Sequence, residues 1–144
     1  MIKKINSVKQ SHILALQHNE NLYESISEYC LNNQIQNGTI SAIGALQNVN
    51  LGYYDQSKKK YNTLEKNEPV EIVHCLGNIS LKEGEIFVHL HISVADKENK
   101  LWGGHLMAGS KIFACEVSIN ELEGEPFTRH FDKTTGLFIW KNNA

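Results

Sequence analysis

Residues 86–109, IFVHLHISVADKENKLWGGHLMAG, decide how this chain folds and where its chemistry lies. Successive side chains of a strand point to opposite faces. Phe87, His89, His91 and Ser93 therefore share one face, and Val88, Leu90, Ile92 and Val94 the other. The second set is wholly aliphatic and suits a core. The first set offers two imidazoles at i and i+2, close enough to reach one ion. A third, His105, follows the turn-like DKEN and the pair Gly103-Gly104.

Register decides whether the third ring joins the other two. If Lys97-Glu98-Asn99 is a three-residue hairpin loop, Asp96 faces Lys100. Counting outward, His105 then faces His91 on the same side of the sheet. Asn99 suits the left-handed position that such loops need, and Asp96 suits setting the turn. A two-residue loop at Glu98-Asn99 instead puts His105 on the opposite face, unless a glycine bulge at Gly103-Gly104 moves it back. The loop chemistry allows both.

Three neutral imidazoles form a recurrent first shell for zinc, with water in the fourth position. Nickel, copper and iron accept the same ligand. The competing reading of His89, His91 and His105 is packing at a subunit interface, bonded to each other or to backbone. Ligating histidines usually donate their second N–H to an acceptor. Glu71 and Glu116 are the candidates, because each interrupts an apolar strand and a carboxylate there is costly unless paired. Either would orient a histidine or act as a base toward activated water. The alternative for both is a solvent-facing or edge position. His74 reads as core or interface packing, and the sequence alone assigns no role to His12, His18 or His130.

Composition narrows the function classes. The chain of 144 residues fits one domain spanning 1–144, and 41% hydrophobic content is enough for a core. No apolar run of about 18 residues is present, so no membrane span is expected. No signal peptide is read at the N-terminus, and the expected compartment is the cytoplasm. Cys30, Cys75 and Cys115 are widely spaced in apolar patterns, which predicts buried free thiols. The formal charge is -2, and Arg129 is the only arginine. Arginine is the preferred reader of phosphate and guanine, so direct DNA binding is disfavoured. Lys58-Lys59-Lys60 reads as a solvated loop. No Walker loop, GxGxxG or GxSxG elbow is present.

Outward from the histidine strand, Leu22, Ile26, Tyr29 and Cys30 follow helical spacing, with Asn19 or Asn21 as cap and an end near Asn32-Asn33. Glu24 and Glu28 are expected on its solvated face. Strands are expected at 12–16, 39–46, 49–54, 61–64, 70–76, 101–107 and 112–119, with 127–132 and 137–140 completing the sheet. Gly77-Asn78 is expected to interrupt the strand begun at Val70, which resumes over 79–81 before a hairpin turn at Lys82-Glu83-Gly84. Gly44 suggests a bulge or a close backbone approach. Many strands and one helix predict an α+β domain, a largely antiparallel sheet of about seven strands with one main amphipathic helix.

The run VEIVHCLGNISLKEGEIFVHLHISVADKENKLWGGHLMAG closely resembles the PPC domain, conserved between plants and prokaryotes. Glu71 to Gly77, His89 to Asp96 and Gly103 to Leu106 carry the family's pattern, and GTISAIGALQNVNLGYYD resembles its upstream segment. The resemblance spans about Val8 to Ile119. It implies an antiparallel α/β fold assembled as a homotrimer, with a divalent metal, zinc, held at His89, His91 and His105. Plant members carry AT-hooks and join DNA-associated complexes. The AT-hook core Arg-Gly-Arg-Pro is absent here. Members often have an Arg in the first strand and a Gly-Glu before the helix, where this chain has HILALQHNEN, so no role of that Arg carries over.

Three functions follow as expectations. The first is a metal-binding homotrimer acting through protein partners or in a DNA-associated regulatory setting. The second is a metal-dependent enzyme in which a three-histidine ion activates water. The third, direct DNA binding, would be weak and steeply salt-dependent.

Overall fold

The computed structural model describes residues 1–141. Chain order is β1 (Val8–Leu16), α1 (Leu22–Asn32), β2 (Gly38–Leu46), β3 (Val49–Asp55), β4 (Lys60–Lys66), β5 (Val70–Lys82), β6 (Glu85–Ala95), β7 (Leu101–Leu106), β8 (Ile112–Leu122), β9 (Thr128–Asp132) and β10 (Leu137–Trp140). The sheet runs β1-β8-β2-β5-β6-β7-β3-β4, and β9 joins β5 and carries β10. All pairings are antiparallel except β5 with β9. The fold is thus the expected antiparallel sheet with one helix, and the described residues form ten strands where about seven were expected. Three of them, β4, β9 and β10, lie on the segments 61–64, 127–132 and 137–140 read as strands in the sequence. In β4, KYNTLEK, every residue but Lys66 is exposed, so no alternation marks where it begins and ends.

Alternation builds the core as expected. Val88, Leu90, Ile92 and Val94 of β6 are all buried, and α1 lies against this strand. Leu22, Ile26 and Cys30, one helical stripe, are each fully buried in the same cluster. Fully burying a Leu or Ile side chain stabilises by about 1.5–3 kcal/mol relative to exposure. Among the described residues no helix covers the opposite face of the sheet. Asn21 is the helix N-cap, though its side chain makes no capping bond. Glu28 is exposed as expected, but Glu24 is half-buried and its Oε1 accepts the Gly109 N–H at 3.0 Å, which ties the helix to the turn after β7. The three cysteines are free and buried. Burial pushes the Cys30 and Cys75 thiols up to about 12 and Cys115 to about 11, so all three are protonated and inert.

Two irregularities depart from expectation or sharpen it. Gly77-Asn78 does not interrupt β5, which is continuous from Val70 to Lys82. The register shift falls earlier, between Ile72 and His74. Gly77 is instead a site of close approach, since the His89 carbonyl occupies the space of a Cβ there. Gly44 is both a bulge and a close approach: the β2–β5 register shifts beside it, its φ is 140°, and the Ala114 carbonyl fills its Cβ position.

Candidate metal centre

The hairpin between β6 and β7 closes on Asp96 and Lys100 and leaves Lys97-Glu98-Asn99 as its three-residue loop. Asn99 takes φ 60°, its N–H donates to Asp96 O at 2.8 Å, and the Asp96 N–H donates to Lys100 O at 3.1 Å. The Asp96 carboxylate locks this turn by accepting from the Glu98 and Lys100 backbone N–H groups and from Trp102 Nε1 at 2.8 Å. These bonds, Trp102 first, hold its carboxyl below the usual range. The register that follows pairs His91 with His105 directly. Of the two loops the sequence allows, the three-residue loop is the one formed, and it needs no bulge at Gly103-Gly104. Gly104 serves the neighbouring strand instead. A Cβ there would lie 2.7 Å from Gly52 O, so glycine lets β3 pack against β7.

One ligand atom from each of His89, His91 and His105 lies within 4.8 Å of the others. Ring centroids are 5.1 Å apart for His89–His91, 5.1 Å for His89–His105 and 5.5 Å for His91–His105. His89 and His105 are half-buried and His91 is exposed, so the cluster opens on the outer face. Burial, Arg129 and the other two rings lower the His89 pKa to about 4. Burial, then His91 and Arg129, lower that of His105. Both rings are therefore neutral at pH 7, the state in which imidazole ligates a metal. His105 Nδ1 is buried without a hydrogen-bond partner, which costs free energy unless something binds it. Three imidazoles with no thiolate among them suit zinc, nickel, copper or iron. A bound ion would be held by these three residues and would act as a Lewis acid.

The carboxylates expected beside the site lie elsewhere within the chain. Glu71 is exposed and pairs with Ala95, about 13 Å along β6 from His91 at strand spacing. It lines an apolar hollow of about 340 Å³ between Ala45, Val70 and Phe113. Glu116 is exposed on β8, three ladder steps or about 14 Å from β6. His74 is exposed rather than in the core. His12 Nδ1 bonds Tyr29 Oη at 3.0 Å, and His18 Nδ1 bonds Phe113 O at 2.9 Å.

What the rings meet instead is Arg129, supplied by β9. Its Nη2 donates to His89 Nδ1 at 3.3 Å and to Asn78 Oδ1 at 2.8 Å. Its Nε donates to Ser80 Oγ at 2.9 Å, and its Nη1 to Phe138 O at 3.3 Å. The signal in sequence was a lone arginine between Phe127 and Phe131, with Asn78 two positions before Ser80. Nothing local links β9 to the histidines, because its pairing with β5 is parallel and long-range. Tyr61 completes the rim, its ring centroid 5.2 Å from that of His105.

Sheet and rings together define a small antiparallel β-domain that carries an open three-histidine centre on its uncovered face. Residues 3–123 match the family described as the Plants and Prokaryotes Conserved (PCC) domain, and the chain belongs to it. The metal-containing protein AF0104 of Archaeoglobus fulgidus superposes with a TM-score of 0.93 at 38% identity, over 99% of this chain and 100% of that one. A plant- and prokaryote-conserved protein of Pyrococcus horikoshii gives 0.92 at 32% identity, over 100% and 99%. In sequence, the chain is 30% identical over 125 residues to the bifunctional protein GlmU of Synechococcus sp. (strain JA-3-3Ab). That match covers 85% of this chain and 19% of the relative, so the likeness concerns one segment of a longer protein. Among the described residues no helix is long and apolar enough to cross a membrane.

Proposed function

We propose that this PCC-domain protein binds one divalent metal ion per chain, with zinc as the ion, through His89, His91 and His105. The convergence of one ligand atom from each ring within 4.8 Å carries the reading. The orphaned His105 Nδ1 supports it, as does the metal-containing description of the Archaeoglobus relative. We further propose a homotrimer that works through protein association, with any DNA contact indirect. Ile13, Ile43 and Leu76 are 73%, 55% and 47% exposed. Cross-strand pairing puts Ile13, Ser118, Ser41, Leu76, His91 and His105 in one row on one face. Exposed aliphatic side chains on such a face suit a second chain. Net charge -2 and the burial of the only arginine both weigh against direct DNA binding.

A second reading, a metal-dependent enzyme in which a three-histidine ion activates water, is favoured by one observation. The centre opens outward beside a guanidinium and a tyrosine rather than closing as a structural site would. Zinc competition against a chromophoric chelator tests the metal, and sedimentation tests the assembly. Wild type should take zinc while His89→Ala and His105→Ala do not, and the mass should be three times the 16.3 kDa chain. Equal zinc uptake by all three proteins would remove the metal reading, and a monomer mass would remove the trimer.

A further inference from the structure

Arg129 is 8% exposed, yet among the described residues no carboxylate pairs with it. A buried charge without a counterion is costly. The rings of Phe87 and Trp140 lie 5.1 Å and 5.3 Å from its guanidinium carbon and keep water from two sides. Its hydrogen-bond partners, Ser80 Oγ, Asn78 Oδ1, Phe138 O and His89 Nδ1, are all neutral. β9, which supplies it, lies beyond the 3–123 segment matched to the family.

The contact with His89 fixes a proton. Arginine has no acceptor, so Nη2 donates and His89 Nδ1 must hold the ring's lone pair. A neutral imidazole has one such lone pair. A metal ligated by His89 takes it, whichever ring nitrogen faces the ion. Metal binding therefore deprives an Arg129 N–H of its acceptor. It also sets a dication beside a buried monocation with only neutral protein ligands around both. An anion that accepts from Arg129 and approaches the metal's open side relieves both penalties at once.

Resting on the metal reading above, the geometry points to Arg129 as the anion-binding arm of the centre. The metal and the guanidinium jointly take an oxyanion, the carboxylate or phosphate-type group of a small ligand. Two parallel N–H donors of a guanidinium match the oxygens of such a group. Arg129 is then a positioning and specificity residue for whatever ligand carries that anion. Metal and anion binding are coupled, each raising the affinity of the other by the same factor.

The test uses the full chain loaded with cobalt(II), with acetate and methylphosphonate as the probes. Metal affinity is measured by chelator competition, and the visible spectrum reports the coordination sphere. At saturating anion the wild-type metal affinity should rise about tenfold, within the usual range of coupling between sites, and the spectrum should shift. A response to acetate alone assigns a carboxylate ligand, and to methylphosphonate a phosphate-type one. Arg129→Met should keep the metal and lose the anion response. Should that variant fail to fold, Arg129→Lys keeps the charge without the fork and should respond more weakly than wild type. Metal binding that neither anion alters, or an undiminished response in the Arg129 variants, would overturn the inference alone. Absence of any metal binding would overturn the metal reading and this inference with it.

Discussion

Leu90 and His91 are neighbours on β6 with opposite surroundings, and their alanine variants should give opposite signatures. Leu90 is fully buried and His91 exposed. Leu90→Ala removes buried methyl groups and leaves a cavity, a loss of about 2–5 kcal/mol with or without metal. His91→Ala touches no core atom, so the metal-free protein should change by no more than about 0.5 kcal/mol. Its effect should appear only with metal present. Losing an orienting partner of a ligand costs about 10–100-fold in metal affinity, so losing a ligand should cost at least about 100-fold. At a free zinc concentration of about 100 times the wild-type Kd, binding stabilises the wild type by about 2.7 kcal/mol. The same zinc concentration stabilises His91→Ala by about 0.4 kcal/mol or less. For a chain of this size each kcal/mol moves Tm by about 2–4 °C. Differential scanning fluorimetry with and without zinc should thus show a wild-type shift of about 5–10 °C, which shrinks to about 1 °C in His91→Ala. A zinc shift that survives the His91 substitution, or a metal-free His91→Ala destabilised as deeply as Leu90→Ala, would refute the assignment of faces and ligands together.

Two further outcomes follow from the same geometry. Asp96→Ala strips acceptors from Trp102 Nε1 and two loop N–H groups, so it should cost about 1–3 kcal/mol in chemical denaturation and weaken zinc binding through the loss of register between His91 and His105. Acid should destabilise the metal-free protein in a defined window. His89 takes its proton at about 4 when folded but near 6.5 when unfolded, so the unfolded chain binds more protons between those values, and stability falls as pH drops from 6.5 to 4. Because the ring is only half-buried, the loss should be about 1–2 kcal/mol after solvent screening. His89→Gln should flatten that part of the urea-derived stability profile.

The parts legible in sequence were those set by short-range periodicity. Alternation over 87–94 assigned both faces of β6 correctly, and the stripe Leu22, Ile26, Cys30 located the helix within its observed bounds. The loop was narrower still: Asn99 in a left-handed conformation and Asp96 beneath it are local chemistry, and they bring His105 opposite His91. What stayed hidden depends on contacts that no local pattern encodes. Gly77-Asn78 looks like a break because glycine weakens strands in general, yet here the close passage of the His89 carbonyl favours it. Glu71 and Glu116 looked like partners of the histidines because apolar neighbours make a carboxylate conspicuous. The sheet order sets each of them apart from the rings. Arg129 counted in sequence only as a lone cation, because the parallel pairing of β9 with β5 that delivers it to His89 spans nearly fifty residues of chain.

X-ray absorption at the zinc edge, on metal-loaded protein of known metal content, reads the ligands of the three-histidine centre directly. One zinc per chain is expected, with three imidazole nitrogens at about 2.0–2.1 Å and the outer-shell scattering of histidine rings. Sulfur scattering at about 2.3 Å would contradict it by moving the metal to the thiols of Cys30, Cys75 or Cys115, and a protein that takes up no zinc at all would contradict it outright.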